Sequence, residues 1–273
     1  MIKVAVSGAA GRMGREVLRT VWNAEDIRLV GAVDPFAAGI DIGNLLEAGE
    51  AGIKISPDLA GMLDDVRPDV IIDFTSPDAV FANILTALKR GVRPVVGTTG
   101  MSPEQLFEVR DMASLHKTGC VVAPNFAIGA ILMMKFAAEA SRYFPHVEII
   151  ELHHDKKVDA PSGTALKTAE LISQSRGDFR PGKVAEVEKI PSARGANYDR
   201  GIRLHSVRLP GLVAHQEVIF GGLGQTLTIR HDSISRESFM PGVLLAVRRV
   251  VELSELVYGL ENLIFDKESP CDD

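Results

Sequence analysis

Residues 2–14 of the chain read Ile-Lys-Val-Ala-Val-Ser-Gly-Ala-Ala-Gly-Arg-Met-Gly, and this stretch decides the fold class. The run 2–7 is short and rich in β-branched residues, which is typical of a central parallel strand buried on both faces. The glycines allow a tight turn, and the helix predicted after them can receive a pyrophosphate at its N-terminus. Strand, glycine-rich turn and helix therefore indicate a dinucleotide site, although the spacing G-x-x-G-x-x-G is by itself only moderately specific.

Asp34 ends the next predicted strand, 27–33, about 20 residues after Gly14. A carboxylate at that point accepts hydrogen bonds from the hydroxyl groups of the adenosine ribose. The alternative is an ordinary Asp-Pro turn, because Pro35 follows directly. No basic residue follows Asp34 directly, and Arg12 is the nearest candidate to neutralise a 2′-phosphate. We therefore predict NADH and/or NADPH as the cofactor, without strict selectivity for NADPH.

Strands predicted at 69–74, 94–96 and 120–123 alternate with helices, as in a parallel sheet that carries helices on both faces. Ligands bind such sheets at the carboxyl ends of the strands. The segments 97–99 and 123–126 follow strands, so we expect both to line the nicotinamide side, unless each is only a turn. The predicted cofactor contacts are Gly8, Ala9, Ala10, Gly11, Arg12, Met13, Asp34, Gly97, Thr98, Thr99, Ala123, Pro124, Asn125 and Phe126.

The pattern changes in the second half of the chain. A buried apolar helix is predicted over 127–144, and a last helix over 239–256 is expected to return to the first domain. Strands separated by Gly and Pro turns are predicted at 147–152, 183–190, 202–209, 215–220 and 225–231, with loops at 177–183 and 192–201. We predict an α/β fold in which residues 1–126 with 236–273 form a dinucleotide-binding Rossmann-type parallel sheet domain. Residues 127–235 would form a second α+β domain with a mixed, mainly β sheet, for substrate binding and oligomerisation.

Residues 151–164 read Glu-Leu-His-His-Asp-Lys-Lys-Val-Asp-Ala-Pro-Ser-Gly-Thr and place two histidines and two lysines before a helix start. Ser162 is a good N-cap, so the first N–H groups of the helix form a site for a carboxylate or phosphate. The histidines and lysines add proton donors and positive charge, which favours an anionic substrate that is protonated during the reaction. A solvated loop is the alternative. A metal site is disfavoured, because no further ligands occur at the required spacing.

The composition excludes several classes of function. The 273 residues carry a net charge of −6 without a long run of like charge, which argues against a nucleic-acid-binding surface. Cys120 and Cys271 are too few and too far apart for a disulfide framework, and they suit a reducing cytosol. The sequence shows neither a signal peptide nor an apolar stretch that could span a bilayer. We expect a cytoplasmic protein that binds neither nucleic acid nor membrane.

Several motifs occur together in the chain. They are Val-Ser-Gly-Ala-Ala-Gly-Arg-Met-Gly at 6–14, Asp-Phe-Thr-Ser-Pro at 73–77, Gly-Thr-Thr-Gly at 97–100, the run 151–165, and Ser-Val-Arg-Leu-Pro-Gly at 206–211 followed by His215. With these motifs the chain resembles the 4-hydroxy-tetrahydrodipicolinate reductase family, also called dihydrodipicolinate reductase, over essentially its whole length. The run 151–165 is the most specific of them, and few other families combine it with an N-terminal dinucleotide turn.

The resemblance implies a reduction of a cyclic dicarboxylate to tetrahydrodipicolinate, with loss of water, in lysine and diaminopimelate biosynthesis. It implies His153 as the catalytic proton donor and Lys157 as a second acid. His154 and the amides of Gly163 and Thr164 would bind the substrate carboxylates. Neighbouring histidines on a regular strand face opposite sides, so both can serve one pocket only if the strand ends there. The resemblance also implies a homotetramer built through the sheets of the second domain.

Two other functions remain open at this point. Another two-domain NAD(P) dehydrogenase, for example one acting on an amino-acid semialdehyde, would not be inhibited by pyridine-2,6-dicarboxylate. A nucleotide-sensing protein without catalysis would bind NADH and reduce no substrate, because a fold alone does not fix a function.

Overall fold

The structure is a computed structural model, and it describes residues 1–179 and 187–265. The chain divides into two compact units. Met1–Phe126 and Phe239–Asp273 form the first unit, and Ala127–Ser238 form the second. None of the helices in the described ranges has the length and hydropathy that a membrane span requires.

The strands and helices follow one another in chain order. Up to residue 126 they are β1 (Ile2–Ser7), α1 (Arg12–Trp22), β2 (Ile27–Val33), α2 (Ile42–Leu46), α3 (Leu59–Val66), β3 (Val70–Asp73), α4 (Pro77–Leu88), β4 (Arg93–Val96), α5 (Pro103–His116) and β5 (Cys120–Val122). The second unit contains α6 (Ile128–Ala140), β6 (His146–His153), α7 (Gly163–Ser175), β7 (Ala196–Asn197), β8 (Arg203–Arg208), β9 (Ala214–Gly222) and β10 (Gln225–Ser233). A 3-10 turn at Arg236–Phe239 precedes α8 (Met240–Val250), β11 (Leu256–Tyr258) and α9 (Glu261–Ile264).

The first unit is built on a sheet of six parallel strands in the order β11-β5-β4-β3-β1-β2. This arrangement confirms the predicted Rossmann-type domain. The chain passes from β1 to β2 on one side and then to β3 on the other side of β1, so the strand order reverses between β1 and β3. The crevice outside the carboxyl ends of strands at such a reversal is where open α/β sheets bind ligands.

The helix starts of this unit follow the sequence signals. Ser102 and Gln105 form a capping box at α5, in which the side chain of each residue accepts a hydrogen bond from the backbone N–H of the other. Ser76 occupies the N-cap position of α4, with Pro77 as its first residue, but the Ser76 side chain makes no capping hydrogen bond. The start of α4 is therefore favoured by the fixed φ angle of Pro77 and not by a capping hydrogen bond of the serine hydroxyl.

The second unit is built on a five-stranded mixed sheet in the order β10-β9-β6-β8-β7. Its central strand β6 runs parallel to β8 and antiparallel to β9, as predicted for a mixed sheet. Val147, Ile149 and Glu151 alternate with more exposed residues along β6, because α6 and α7 pack on one face of the sheet. The carboxyl end of β6 is His153, and His154 follows it directly.

The prediction of the last helix is wrong over its final six residues, 251–256. The helix over 239–256 ends at Val250, and Leu256–Tyr258 instead form a strand that pairs in parallel with Cys120–Val122. A strand of three residues shows no usable periodicity, so only the free edge of β5 decides its conformation.

Two predictions for the second unit also change. In the predicted strand 183–190, residues 183–186 lie outside the described residues, and 187–190 form no strand. The predicted loop 192–201 contains the short strand Ala196–Asn197, which pairs antiparallel with β8. The predicted loop 177–183 is described only as far as residue 179.

Candidate active site

The turn between β1 and α1 requires its glycines. Gly8 has φ +77°, and a Cβ atom there would lie 2.4 Å from the carbonyl oxygen of Phe74. A Cβ atom on Gly14 would lie 1.9 Å from the carbonyl oxygen of Gly8. Gly11 is the N-cap of α1 and offers no side-chain acceptor. The first N–H groups of this helix are therefore available to a phosphate group, as the motif predicts.

The side chain of Asp34 is buried beside this turn. Its Oδ2 atom accepts a hydrogen bond of 3.0 Å from the backbone N–H of Ala10, and its Oδ1 atom accepts one of 3.0 Å from Phe36. Each carboxylate oxygen has a further lone pair, so Asp34 can also accept from ribose hydroxyl groups. Asp34 lines a pocket whose other lining residues include Gly8, Gly11, Phe36, Asp58 and Asn83.

A second pocket of the same unit lies between α1 and the ends of β3 and β4. Of the predicted cofactor contacts it is lined by Gly11, Arg12, Met13, Gly97, Thr98 and Thr99. Arg12 therefore belongs to this pocket and is not part of the lining around Asp34. A Cβ atom on Gly97 would lie 2.0 Å from the ring of Phe74, so a side chain at position 97 would displace that ring.

Asp73 binds two residues that line the second pocket. Its carboxylate accepts hydrogen bonds from the hydroxyl groups of Thr75, at 2.7 Å, and Thr98, at 3.1 Å. It also accepts one of 2.8 Å from the side-chain amide of Asn83. The hydroxyl of Thr98 in turn accepts from the N–H of Thr75 at 2.8 Å. This network fixes the loops that follow β3 and β4 relative to each other.

The remaining predicted cofactor contacts lie near these pockets without lining either of them. Ala9 is buried, and the N–H groups of Gly8 and Ala9 both donate to the carbonyl oxygen of Val33. Ala123, Pro124, Asn125 and Phe126 follow β5, and the Phe126 ring packs against the Phe74 ring with centroids 5.8 Å apart. Pro124 is exposed, whereas Ala123 and Phe126 are buried.

In the second unit, His153 is the last residue of β6 and half-buried. Its Nδ1 atom lies 2.5 Å from the Oε2 atom of Glu151, whose side chain is completely buried. Arg208, opposite His153 on β8, binds both oxygens of the same carboxylate, at 2.9 and 2.7 Å. The imidazole of His153 is therefore attached to a buried ion pair.

This environment shifts both pKa values. Burial lowers the pKa of the His153 imidazole, and the Glu151 carboxylate offsets that effect only in part. Burial alone would raise the pKa of Glu151, but hydrogen bonds from Arg208 and two further side chains outweigh it and hold that pKa below its ordinary value. Glu151 is consequently the charged member of the pair, and the pKa of His153 lies below its ordinary value.

Lys157 lies in the loop that leaves β6. Its Nζ atom donates to both oxygens of Asp159, at 2.8 and 2.9 Å. The carbonyl oxygen of Asp159 accepts a hydrogen bond of 2.8 Å from Arg208. Both predicted catalytic residues are thus connected to Arg208, His153 through Glu151 and Lys157 through Asp159.

The substrate contacts expected from the sequence surround the start of α7. Ser162 is the N-cap, and its hydroxyl accepts from the N–H of Ala165 at 3.2 Å, as predicted. Gly163 is exposed, and no atom lies within 4 Å of a Cβ position on it. Thr164 is partly exposed, and His154 is exposed directly after the last residue of β6. The strand therefore ends between the two histidines, which is the condition for both to serve one pocket.

Glu151, Arg208, Asp159 and Asp73 were not predicted as site residues. Glu151 occupies a core-facing position of a strand, where a carboxylate is rare unless it has a partner. All four residues lie within the quoted motifs at 73–77, 151–165 and 206–211, but only the strand pairing shows that Arg208 faces Glu151 and His153. In the part of the chain that the structure describes, no three or more His, Cys, Asp or Glu residues are grouped so that they could hold a metal ion.

Family models match both units. The model described as "Dihydrodipicolinate reductase, N-terminus" matches residues 2–126, and "Dihydrodipicolinate reductase, C-terminus" matches residues 129–264. The chain is 58% identical over 264 residues to the 4-hydroxy-tetrahydrodipicolinate reductase of Desulfitobacterium hafniense, covering 96% of this chain and 98% of the relative. The corresponding protein of Moorella thermoacetica is 57% identical over 263 residues, with the same coverage.

Solved structures agree with these relatives. The dipicolinate-bound dihydrodipicolinate reductase from Paenisporosarcina sp. TG-14 has a TM-score of 0.85 and 50% identity, covering 96% of this chain and 99% of the other. An amine dehydrogenase from Mycobacterium smegmatis, at 14% identity and TM-score 0.66 over 95% of both chains, shares the fold alone. Family models over both units and relatives along nearly the whole length show that the chain belongs to the dihydrodipicolinate reductase family.

Proposed function

We propose that this chain catalyses the NAD(P)H-dependent reduction of 4-hydroxy-tetrahydrodipicolinate to tetrahydrodipicolinate, with loss of water, in lysine and diaminopimelate biosynthesis. The observation that carries the proposal is the imidazole of His153, held by the buried carboxylate of Glu151 at the end of β6. It occurs in a chain whose relatives bear the name of this reductase. The solved relative described as dipicolinate-bound supports a cyclic dicarboxylate as the ligand.

The reaction adds one hydride and one proton to the substrate and releases one water. A bound nicotinamide would supply the hydride to carbon 4 of the ring. Hydride addition leaves negative charge on the conjugated ring, and His153 would deliver the proton that neutralises it, with Lys157 as the second acid. The N–H groups of Gly163 and Thr164, together with His154, would bind the substrate carboxylates at the start of α7.

The first unit fits a dinucleotide cofactor. Its turn leaves no room for a Cβ atom at Gly8 or Gly14, as close backbone approach to a pyrophosphate requires. Among the described residues that line the pocket around Asp34, there is no lysine or arginine, whereas Asp34 and Asp58 are both acidic. A 2′-phosphate would meet negative charge there, so we propose that NADH is the better cofactor.

Domain roles, assembly and location belong to the same proposal. Residues 1–126 with 236–273 would bind the cofactor, and residues 127–235 would bind the substrate and assemble a cytoplasmic homotetramer. The face of the second sheet opposite α6 and α7 supports the assembly, because it carries partly exposed apolar side chains at Ile150, Leu152 and Ile219. Light scattering coupled to size-exclusion chromatography should give four chains per particle, and a monomer would contradict this part.

The activity is tested by following the absorbance of the reduced nicotinamide while a synthase generates the substrate in situ. Oxidation that depends on the synthase, and that pyridine-2,6-dicarboxylate inhibits, is the expected result; kcat/KM should be higher with NADH than with NADPH. His153→Ala and Lys157→Ala should each lower kcat about 100-fold or more, because each removes a positioned acid. Lys167→Ala, an exposed lysine on α7, serves as the matched control. A folded protein that oxidises neither cofactor would refute the proposed reaction.

A further inference from the structure

Glu151 is an unusual residue for its position in the sheet. It lies on the face of β6 that packs against helices, and its carboxylate is completely buried. A buried charge is tolerated only when it is paired and hydrogen-bonded. Arg208 supplies that pairing, since its two terminal nitrogens bind the two carboxylate oxygens at 2.9 and 2.7 Å. Packing alone does not explain why a charged pair occupies this position, because an apolar pair would fill the same space.

The contact with His153 gives the buried pair a chemical role. An ionised carboxylate only accepts hydrogen bonds, so the Nδ1 atom of His153, 2.5 Å from Glu151, must carry a hydrogen. The Nε2 atom is then the nitrogen that takes up and releases the exchangeable proton. The same carboxylate holds the imidazole plane and favours its charged form. Glu151 thereby selects which atom of His153 can act as an acid.

Arg208 extends this arrangement to the second acid. Besides Glu151, its Nη2 atom donates to the carbonyl oxygen of Asp159 at 2.8 Å. The carboxylate of Asp159 binds the ammonium group of Lys157 through both oxygens. One guanidinium group therefore fixes the loop between β6 and α7 to the end of β8. A lysine could not make this set of contacts, because it lacks the planar fork of donors.

We propose that Glu151 and Arg208 are positioning residues for the reaction proposed above, on which this inference rests. Glu151 orients His153 and fixes its tautomer. Arg208 keeps Glu151 ionised and holds the backbone at Asp159, so that the ammonium group of Lys157 keeps its place relative to His153.

Glu151→Gln tests the first half of the proposal. Loss of the carboxylate should lower kcat about 10-fold or more and change KM less than about threefold, because substrate binding does not use Glu151. The decline of kcat/KM with rising pH should move to lower pH, since the negative charge that favours the imidazolium form is gone. Glu148→Gln, on the opposite face of the same strand, is the matched control. A folded Glu151→Gln variant with the wild-type pH profile would overturn the role.

A double-mutant cycle separates positioning from a merely structural effect. If Glu151 acts through His153, the variant His153→Ala/Glu151→Gln should turn over within about twofold of His153→Ala alone. A further loss equal to that of the single Glu151→Gln variant would overturn the proposal, because the two residues would then act independently.

Arg208→Lys tests the second half. It keeps the charge but cannot span Glu151 and the Asp159 carbonyl group, so kcat should fall about 10-fold or more with little change in NADH affinity. Arg203→Lys, on the opposite face of β8, is the control. If kcat of Arg208→Lys equals that of the wild type, Arg208 does not position the acids.

The tautomer of His153 provides a measurement that does not depend on turnover. Long-range proton–nitrogen NMR of histidine-labelled wild-type protein should show neutral His153 with its hydrogen on Nδ1. An Nε2–H tautomer would overturn the proposal even if Glu151→Gln failed to fold. Lack of turnover in the wild type would instead overturn the proposed reaction, so the two failures are distinguishable.

Discussion

The Oδ2 atom of Asp34 accepts a hydrogen bond of 3.0 Å from the backbone N–H of Ala10, so the acid at the end of β2 also holds the turn after β1. The carboxylate therefore shapes the glycine-rich turn, and we propose that it also binds the ribose. Removal of Asp34 should therefore weaken cofactor binding in two ways, by loosening the turn and by removing the acceptor for the ribose.

Asp34→Ala should raise the KM for NADH about 10-fold or more. Hydrogen bonds to a charged group contribute about 1.5–3 kcal/mol, and about 1.4 kcal/mol corresponds to a tenfold change in affinity. Steady-state kinetics with varied NADH measure the effect, with the exposed Asp65→Ala as control. An unchanged KM for NADH would mean that Asp34 serves only the turn.

Phe36→Arg should change the cofactor preference. Phe36 is 98% exposed and lines the pocket around Asp34, so a guanidinium group there can pair with a 2′-phosphate. The ratio of kcat/KM for NADPH to that for NADH should rise about 10-fold or more. Phe107→Arg replaces another exposed phenylalanine, on α5, and should leave the ratio as it is. An equal ratio in both variants would show that the 2′-phosphate does not lie near residue 36.

Gly14→Ala should weaken cofactor binding, although alanine is the better helix former. The new methyl group would lie 1.9 Å from the carbonyl oxygen of Gly8, so the turn must open or the helix must move. We expect the Kd for NADH, measured by fluorescence titration, to rise about 10-fold or more because the amides no longer converge on the pyrophosphate. Arg19→Ala in the same helix is the control. Wild-type affinity in Gly14→Ala would show that the turn tolerates this displacement.

Thr168→Val should destabilise the second unit. The buried Thr168 hydroxyl accepts a hydrogen bond of 2.7 Å from the side-chain amide of Gln216 and donates one to the carbonyl oxygen of Thr164. Valine preserves the shape but leaves a buried amide without its partner, at a cost of about 1–3 kcal/mol. Urea unfolding measures the loss, and Thr20→Val in α1 is the comparison. Equal stabilities of the two variants would contradict the assigned hydrogen bonds.

Acid should destabilise the protein below about pH 6.5. Burial lowers the pKa of both His153 and His231 in the folded chain, whereas unfolded histidines have a pKa of about 6.5. Below that pH the unfolded chain binds protons that the folded chain does not, so the free energy of unfolding falls as the pH falls toward the folded pKa values. Urea unfolding between pH 7.5 and 5.5, in steps of about half a unit, tests this. The double variant His153→Gln/His231→Gln should show a flatter dependence, and an equally steep one would exclude these histidines as the cause.

The amino-acid sequence by itself determined the local features of this protein. The strand, glycine turn and helix at 2–22, the capping box at Ser102 and the N-cap at Ser162 depend on neighbours a few residues apart, where propensity and hydrogen-bonding rules operate. The motif at 151–164 likewise indicated where the proposed acids His153 and Lys157 lie.

Only the tertiary structure decided which distant residues support them. The short strand Leu256–Tyr258 forms because the edge of β5 is free to pair, and three residues carry no periodic signal of their own. Arg208 meets Glu151 because β6 and β8 run side by side in a register that places Arg208 opposite His153. Residues 57 positions apart in the chain come together only when the sheet forms, because strand pairing is a non-local interaction that no short window of sequence contains.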